Sequence, residues 1–188
     1  MGQNMMITTK RLDLHTVLPD EYLLLQQDLT HPDLWARRGF TDPLRYFATN
    51  PNPLEYRAPR VAANPEFAKY LLRVAVLKQS STIIASAGFH NAPDPAGMIE
   101  IGFGVDKAYQ NLGYGQEILH GMWRWIANDP QVKTLRYTVS PENLVSLHII
   151  KKLNFNLIGE QIDEKDGLEL IYELSSENYL ANFLGKSS

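Results

Sequence analysis

The 188-residue chain has no cysteine. That excludes disulfides, thiolate metal sites and a cysteine nucleophile, and it fits a reducing compartment. No apolar run is long enough to cross a bilayer, and residues 1–6 hold no apolar leader core. The expectation is a cytoplasmic chain with no membrane partner. Met1-Gly2 opens like a myristoylation signal, but Met6 stands where Ser or Thr is needed. Charge of one sign is also scarce. The formal net charge is −3 with the signs interleaved, so no nucleic-acid surface is expected. The five histidines, at 15, 31, 90, 120 and 148, show no ligand spacing such as His-Glu-x-x-His, and no metal is expected. There is no Gly-x-Ser-x-Gly elbow, so a covalent acyl-enzyme lacks an evident nucleophile. Internal repeats and low-complexity tracts are absent.

What is present is one domain's length, 44% apolar, with a distinctive stretch in its middle. Met98 to Val105 alternates as a strand, then loosens at Gly102-Phe103-Gly104, where glycines signal a bulge or a close backbone approach. Gln110-Asn111-Leu112-Gly113-Tyr114-Gly115 opens straight into an amphipathic helix running to Asn128, with Ile118, Leu119, Met122, Trp123 and Ile126 at helical spacing. The first turn of a helix offers unpaired N–H groups and the positive end of its dipole. Glycines at 113 and 115 let those groups approach an anion. The same residues also read as an ordinary tight loop. No Walker lysine follows, and the third glycine of a dinucleotide fingerprint is missing.

The rest of the chain alternates strands and helices. Arg11 to Val17 reads as a strand, and Pro19 opens a helix carrying Tyr22 to Leu29. From 30 to 64 the pattern is irregular and rich in proline, aromatics and arginine. It reads equally as a functional loop or as an excursion that packs its own aromatics. Asn50-Pro51-Asn52-Pro53 is a loop signal. Asn64-Pro65-Glu66 caps a short helix. Strands follow at 73–78 and 83–90, giving with Met98–Val105 an antiparallel meander. After Asp129-Pro130 come a strand at 134–139 and a helix at 144–153 that Asn154 closes in a left-handed conformation. A hairpin at 156–174 turns at Lys165-Asp166-Gly167, and a last helix at 177–184 is capped by Ser176 and closed by Gly185. The strand-helix-strand step across 98–139 implies one parallel pair, and strands that splay at a bulge expose backbone groups to an extended ligand.

Three motifs in order resemble the GNAT acetyltransferase superfamily. Gln110-x-x-Gly113-x-Gly115 after the broken strand resembles its acetyl-CoA motif. Asn143-Leu-Val-Ser146-Leu-His-Ile-Ile-Lys151-Lys-Leu-Asn-Phe155 resembles its next motif. Thr9-Lys-Arg-Leu-Asp-Leu14 resembles the opening of the RimJ/RimL-type branch, which acetylates protein N-termini. The likeness covers residues 8 to 174. It implies an α+β GNAT fold in a single domain over 1–188. The sheet is mixed, mostly antiparallel and splayed at a bulge, flanked by helices, and residues 30–64 shape the acceptor pocket.

It also implies acetyl transfer from acetyl-CoA to a primary amine, by direct attack in a ternary complex. Acetyl-CoA would be held by Phe103, Gly104, Val105, Gln110, Asn111, Leu112, Gly113, Tyr114, Gly115, Gln116, Asn143 and Ser146. Glu100 is the candidate general base; it also reads as an exposed outer-face glutamate. The Val105 N–H is the candidate oxyanion donor, and Ser146 the candidate acid. Asn143 holds the pantetheine or is simply a helix cap. Two departures stand out: Gln110 replaces a frequent arginine, and Ile150 replaces the family's tyrosine acid. The arginines of 37–60 suggest an acceptor bearing carboxylates. The acceptor is a protein N-terminus or a small amine, and a homodimer is left open. A CoA-binding sensor without turnover is the alternative.

Overall fold

A computed structural model of the chain describes residues 6–50, 53–164 and 167–184. The expectations at Met1-Gly2, Pro51-Asn52, Lys165-Asp166 and Gly185 lie outside the described residues. The described residues form eight strands and seven α-helices, an α+β fold with a mixed, mostly antiparallel strand arrangement. Packing divides them into two compact units, one within 1–92 and 103–122, the other within 93–102 and 123–188.

In the first unit the strands run β1 (Met6–Thr8), β2 (Leu12–Thr16), β3 (Arg73–Leu77) and β4 (Thr82–Phe89), all antiparallel neighbours. β1 has only three residues, too few for a periodicity signal, and the sequence did not reveal it. The alternation in β2 puts Leu12 and Leu14 inside and leaves Asp13 and His15 half-buried. β4 is buried at every position, which its run of Ile, Ala, Ser and Gly permits. Glycine is obligatory at 88, because a Cβ there would lie 1.9 Å from the Leu71 carbonyl oxygen.

Helix α1 (Pro19–Gln27) packs with α3 (Leu54–Ala63). Between them lie a 3-10 turn at 36–38 and α2 (Tyr46–Thr49). The irregular reading of 30–64 is therefore corrected, for ten of its residues are a regular helix with Pro59 inside it. Proline ordinarily breaks a helix, which hid this one. Trp35, Tyr46 and Phe47 are no loop decoration. They join Tyr22, Leu25 and Leu71 in the core of this unit. Residues 65–71 form a 3-10 turn followed by α4 (Ala68–Leu71), capped at Asn64 by a bond from the Glu66 N–H.

In the second unit the strand order is β5 (Met98–Val105), β6 (Thr134–Val139), β8 (Gly167–Ser175) and β7 (Asn156–Asp163). β5 begins in this unit and its last residues belong to the first. β5 and β6 are parallel, as the strand-helix-strand step requires, and the other two pairs are antiparallel. The core holds Ile99, Ile101, Leu135 and Ile150, with the Trp123 and Phe155 rings 5.7 Å apart. α6 (Leu144–Lys152) ends at Asn154, which takes the left-handed conformation at φ 57°. The last helix, α7 (Ser176–Leu184), begins one residue early. Ser175, not Ser176, caps it, its Oγ accepting from the Asn178 N–H at 3.1 Å.

Candidate active site

Two sets of residues gather, one in each unit. In the first unit, β5 ends at Val105 and the chain turns through a 3-10 segment, Lys107–Tyr109, into α5 (Tyr114–Ile126). Asp106 fixes the exit. Its backbone N–H donates to the Ile84 carbonyl at 2.8 Å, and its carboxylate accepts from the Ala108 N–H and from the Asn50 amide, each at 2.9 Å. The Gln110 side chain folds back to the Val105 carbonyl at 3.0 Å. It braces the turn rather than standing in for a cationic side chain.

The turn needs Asn111 at φ 60° and Gly113 at φ 80°. A side chain at 113 would be strained by its backbone conformation, though a Cβ would have room, 3.5 Å from Arg11 Nη2. The first backbone bond of α5 runs from the Glu117 N–H to the Gly113 carbonyl at 3.2 Å. The N–H groups ahead of Glu117 are therefore the ones a helix start leaves without helical acceptors. Gly115 has a different reason. A Cβ there would press on the Phe103 ring at 3.1 Å, so its role is packing against β5.

A positive charge does stand at this turn, contributed by Arg11 from before β2. Its Nε donates to Glu117 at 2.7 Å, its Nη1 donates to the Leu112 carbonyl at 2.9 Å, and its guanidinium lies 4.0 Å over the Tyr114 ring. Glu117 also accepts from the Arg11 N–H and the Thr9 hydroxyl, each at 2.6 Å. Burial disfavours the Glu117 anion, but the bonds from Thr9 and Arg11 outweigh it and hold its pKa below the ordinary value. The Thr9-x-Arg11 motif thus fastens the turn. Sequence reasoning missed Arg11 and Glu117 as site residues; their opposite charges, one inside the Thr9–Leu14 motif and one just after the glycine turn, were the available signal. Glycines, helix-start N–H groups and a nearby guanidinium together suit an anion such as a diphosphate.

Tyr46 also reaches this region. Its buried hydroxyl donates to the Gly104 carbonyl at 2.8 Å and accepts from the Ser86 N–H at 3.0 Å. It is thus the close approach signalled by glycine at 104. No pattern in 30–64 pointed to it.

In the second unit the β5–β6 ladder covers three pairs, from Met98↔Thr134 to Glu100↔Arg136. β6 meanwhile stays paired to β8 as far as Val139↔Leu170. Glu100 is the last β5 residue paired to β6, and half-buried. Ile99 and Ile101 are buried on the opposite face, so they do not enclose its carboxyl. Instead Thr138 Oγ1 donates to Glu100 Oε1 at 2.5 Å. Arg136, facing Glu100 in register, sends its guanidinium to Glu173 at 2.6 and 2.8 Å.

Asn143 accepts from the Ser146 N–H at 3.1 Å and so caps α6. Ser146 is buried and hydrogen-bonds Tyr137. Burial pushes the Tyr137 phenol up despite that bond, so it stays protonated at neutral pH. In the sequence Tyr137 carries only the alternation of its strand, which gives no sign of this contact. Ile150 is fully buried, and Lys151 and Lys152 are a solvated helix end.

Of the five arginines of 37–60, four have a partner or are enclosed, and Arg45 is exposed. Arg38 pairs with Glu21 at 2.7 Å, Arg37 lies 3.9 Å from Asp20, Arg60 donates to the His90 carbonyl, and Arg57 is buried. Among the described residues no cluster of His, Asp and Glu is placed to hold a metal, and no helix is long and apolar enough to cross a membrane.

A glycine turn at a helix start, a broken parallel pair and a carboxylate at the break define a fold class that comparison makes specific. The profile of the family described as "Acetyltransferase (GNAT) domain" matches residues 23–156. The chain belongs to the GNAT acetyltransferase family. It is 32% identical over 92 residues to the uncharacterized N-acetyltransferase YjdG of Bacillus subtilis, covering 49% of this chain and 55% of that one. The chain thus spans about half the length of that curated relative.

Solved structures share the fold. The ribosomal-protein-S5-alanine acetyltransferase of Vibrio fischeri matches with a TM-score of 0.66 at 13% identity, covering 94% of this chain and 99% of that one. An acetyltransferase of Bacillus anthracis gives 0.60 at 17%, covering 92% and 99%. The ribosomal L7/L12 α-N-protein acetyltransferase RimL, in complex with coenzyme A, gives 0.63 at 14%, covering 90% and 97%.

Proposed function

We propose that the chain is an N-acetyltransferase that moves acetyl from acetyl-CoA to a primary amine, by direct attack without an acyl-enzyme. The observation that carries this reading is the β5–β6 ladder, which stops at Glu100↔Arg136 and leaves the later backbone groups of β6 unpaired to β5. Those groups suit the two amides of a pantetheine arm. The Gly113 turn, with its helix-start N–H groups and Arg11, suits the diphosphate. We assign Phe103, Gly104, Asn111, Leu112, Tyr114, Gly115 and Gln116 to the same cofactor, and Asn143 and Ser146 to its pantetheine arm.

Bound acetyl-CoA supplies an activated acetyl group as a thioester. Glu100, oriented by Thr138, takes the proton from the amine nitrogen as that nitrogen bonds the carbonyl carbon. The Val105 N–H donates to the oxygen as it gains charge. The carbon–sulfur bond then breaks as the carbonyl re-forms, and Ser146, held by Tyr137, relays a proton to the departing sulfur while taking one back from solvent. The acceptor is a protein N-terminal α-amine, as for the L7/L12 α-N-protein acetyltransferase RimL that shares the fold, or a small amine. The family match spans parts of both units and supports their acting as a single domain; the lack of cysteine supports a cytoplasmic setting.

Purified protein with acetyl-CoA and a panel of amines and N-terminal peptides tests this by free-thiol release. Turnover with at least one amine is expected. Tight CoA binding with no thiol released across the panel would instead establish the sensor.

A further inference from the structure

The Gly104–Val105 peptide is held in an unusual way. Between neighbouring strands, as β4 and β5 are, a backbone N–H ordinarily bonds directly to the carbonyl opposite. Here a side-chain hydroxyl stands between them. Tyr46 Oη accepts from the Ser86 N–H of β4 at 3.0 Å, lies 3.2 Å from Ser86 Oγ, and donates to the Gly104 carbonyl at 2.8 Å. Tyr46 is 1% exposed. It is anchored in turn by Asp42, whose carboxylate oxygens accept from its backbone N–H at 2.9 and 3.1 Å. Glycine at 104 admits the hydroxyl, since a Cβ would sit 3.2 Å from it.

The Gly104 carbonyl and the Val105 N–H belong to one peptide plane. That bond is trans, so the two groups point in opposite directions. A donor fixed on the carbonyl therefore fixes the N–H on the other side, away from β4. It also draws electron density towards the oxygen, which makes the N–H a stronger donor. We propose that Tyr46 is a positioning residue: its hydroxyl sets the direction and the donor strength of the Val105 N–H towards the thioester oxygen. This rests on the oxyanion role given to Val105 above. It ties α2, on the acceptor-side segment, to the reacting carbonyl without touching it.

Tyr46→Phe removes the hydroxyl and keeps the ring. The expected result is a kcat lower by about tenfold, below the loss of a direct oxyanion donor because the effect is relayed. The KM for acetyl-CoA and the Kd for CoA should stay within about twofold, since ground-state contacts are kept. A second readout is the infrared carbonyl band of bound acetyl-CoA labelled with carbon-13 at the carbonyl, recorded without acceptor. The band should lie lower than in free acetyl-CoA for the wild type, and return upwards in Tyr46→Phe.

If that variant does not fold, 3-fluorotyrosine placed at position 46 by codon suppression keeps the shape and strengthens the donor, and the band should move lower still. A wild-type shift that neither variant alters overturns the role of Tyr46 and leaves Val105 in place. A wild-type band equal to that of free acetyl-CoA overturns both. A kcat loss matched by an equal rise in KM, with no band change, marks Tyr46 as structural only.

Discussion

Two fastenings in the first unit make an instructive contrast. The Gly113 turn is tied by a charged, partly exposed pair, with Arg11 38% and Glu117 15% exposed at the side chain. The Gly104 peptide is tied by a neutral hydroxyl with 1% exposure. A charged clamp in contact with water is screened by salt and titrates with pH. A buried neutral clamp does neither, and its failure leaves a carbonyl and an N–H without partners. The place proposed to grip a multiply charged group is thus fastened by charge, and the place that must hold one dipole in one direction is fastened by packing. The contrast can be broken or sharpened in order of effect.

The largest effect lies outside both clamps and sets their scale. Glu100→Gln should lower kcat by about a hundredfold or more, with CoA affinity nearly unchanged, as loss of a general base does. Steady-state kinetics alongside CoA titration decide it, and undiminished turnover removes Glu100 from the chemistry. Next, Gly113→Val forces a β-branched residue to φ 80°, at a cost of about 1–3 kcal/mol. CoA affinity should fall about tenfold or more while kcat at saturation changes little. Retained affinity would show that the turn does not bind the cofactor.

Arg11→Ala comes third. It removes the clamp's cation, and the cost should be about 1–2 kcal/mol of stability, with weaker CoA binding. The wild type's CoA affinity should decline as salt rises from about 0.01 M to about 1 M, where the Debye length falls from about 30 to about 3 Å, and the variant's should decline less. Equal salt dependence would place the guanidinium outside the cofactor's reach.

Fourth is pH. Glu117 has a folded pKa below its ordinary 4.5. Its ionised form therefore contributes stability that is fully present above 4.5 and is lost as pH falls through the folded value. Burial, with Arg38 and Arg73 and against Asp13, likewise holds the His15 pKa below 6.5, so stability declines as pH falls below 6.5. Melting temperatures across pH 3 to 8 (an assay range of about 1–2 units around those ordinary values) should show both steps. Glu117→Gln should remove the lower one and His15→Asn the upper. The smallest effect is that of Ser86→Ala. It deletes one hydroxyl contact of the neutral clamp and should cost about 1 kcal/mol or less, because Tyr46 keeps both backbone partners.

Periodic segments were legible from residues alone. β5, β6, β7, β8 and α6 lie within a residue or two of their expected bounds, because alternation and helical spacing report burial directly. Asn154 was legible too, since few residues tolerate its left-handed conformation. Three things were not. β1 is too short to carry a period. α3 was hidden by Pro59, whose local preference is overruled by packing against α1. Tyr46 was hidden because a buried hydroxyl and a buried ring look alike in a sequence.

The chain's own order of residues determined the Gly113 turn and the two parallel strands, because glycine spacing and side-chain periodicity act locally. Only the folded arrangement decided what holds that turn and that peptide. Arg11 meets Glu117 across 106 positions and Tyr46 meets Gly104 across 58. Such bonds depend on which segments become neighbours, and no local preference specifies that.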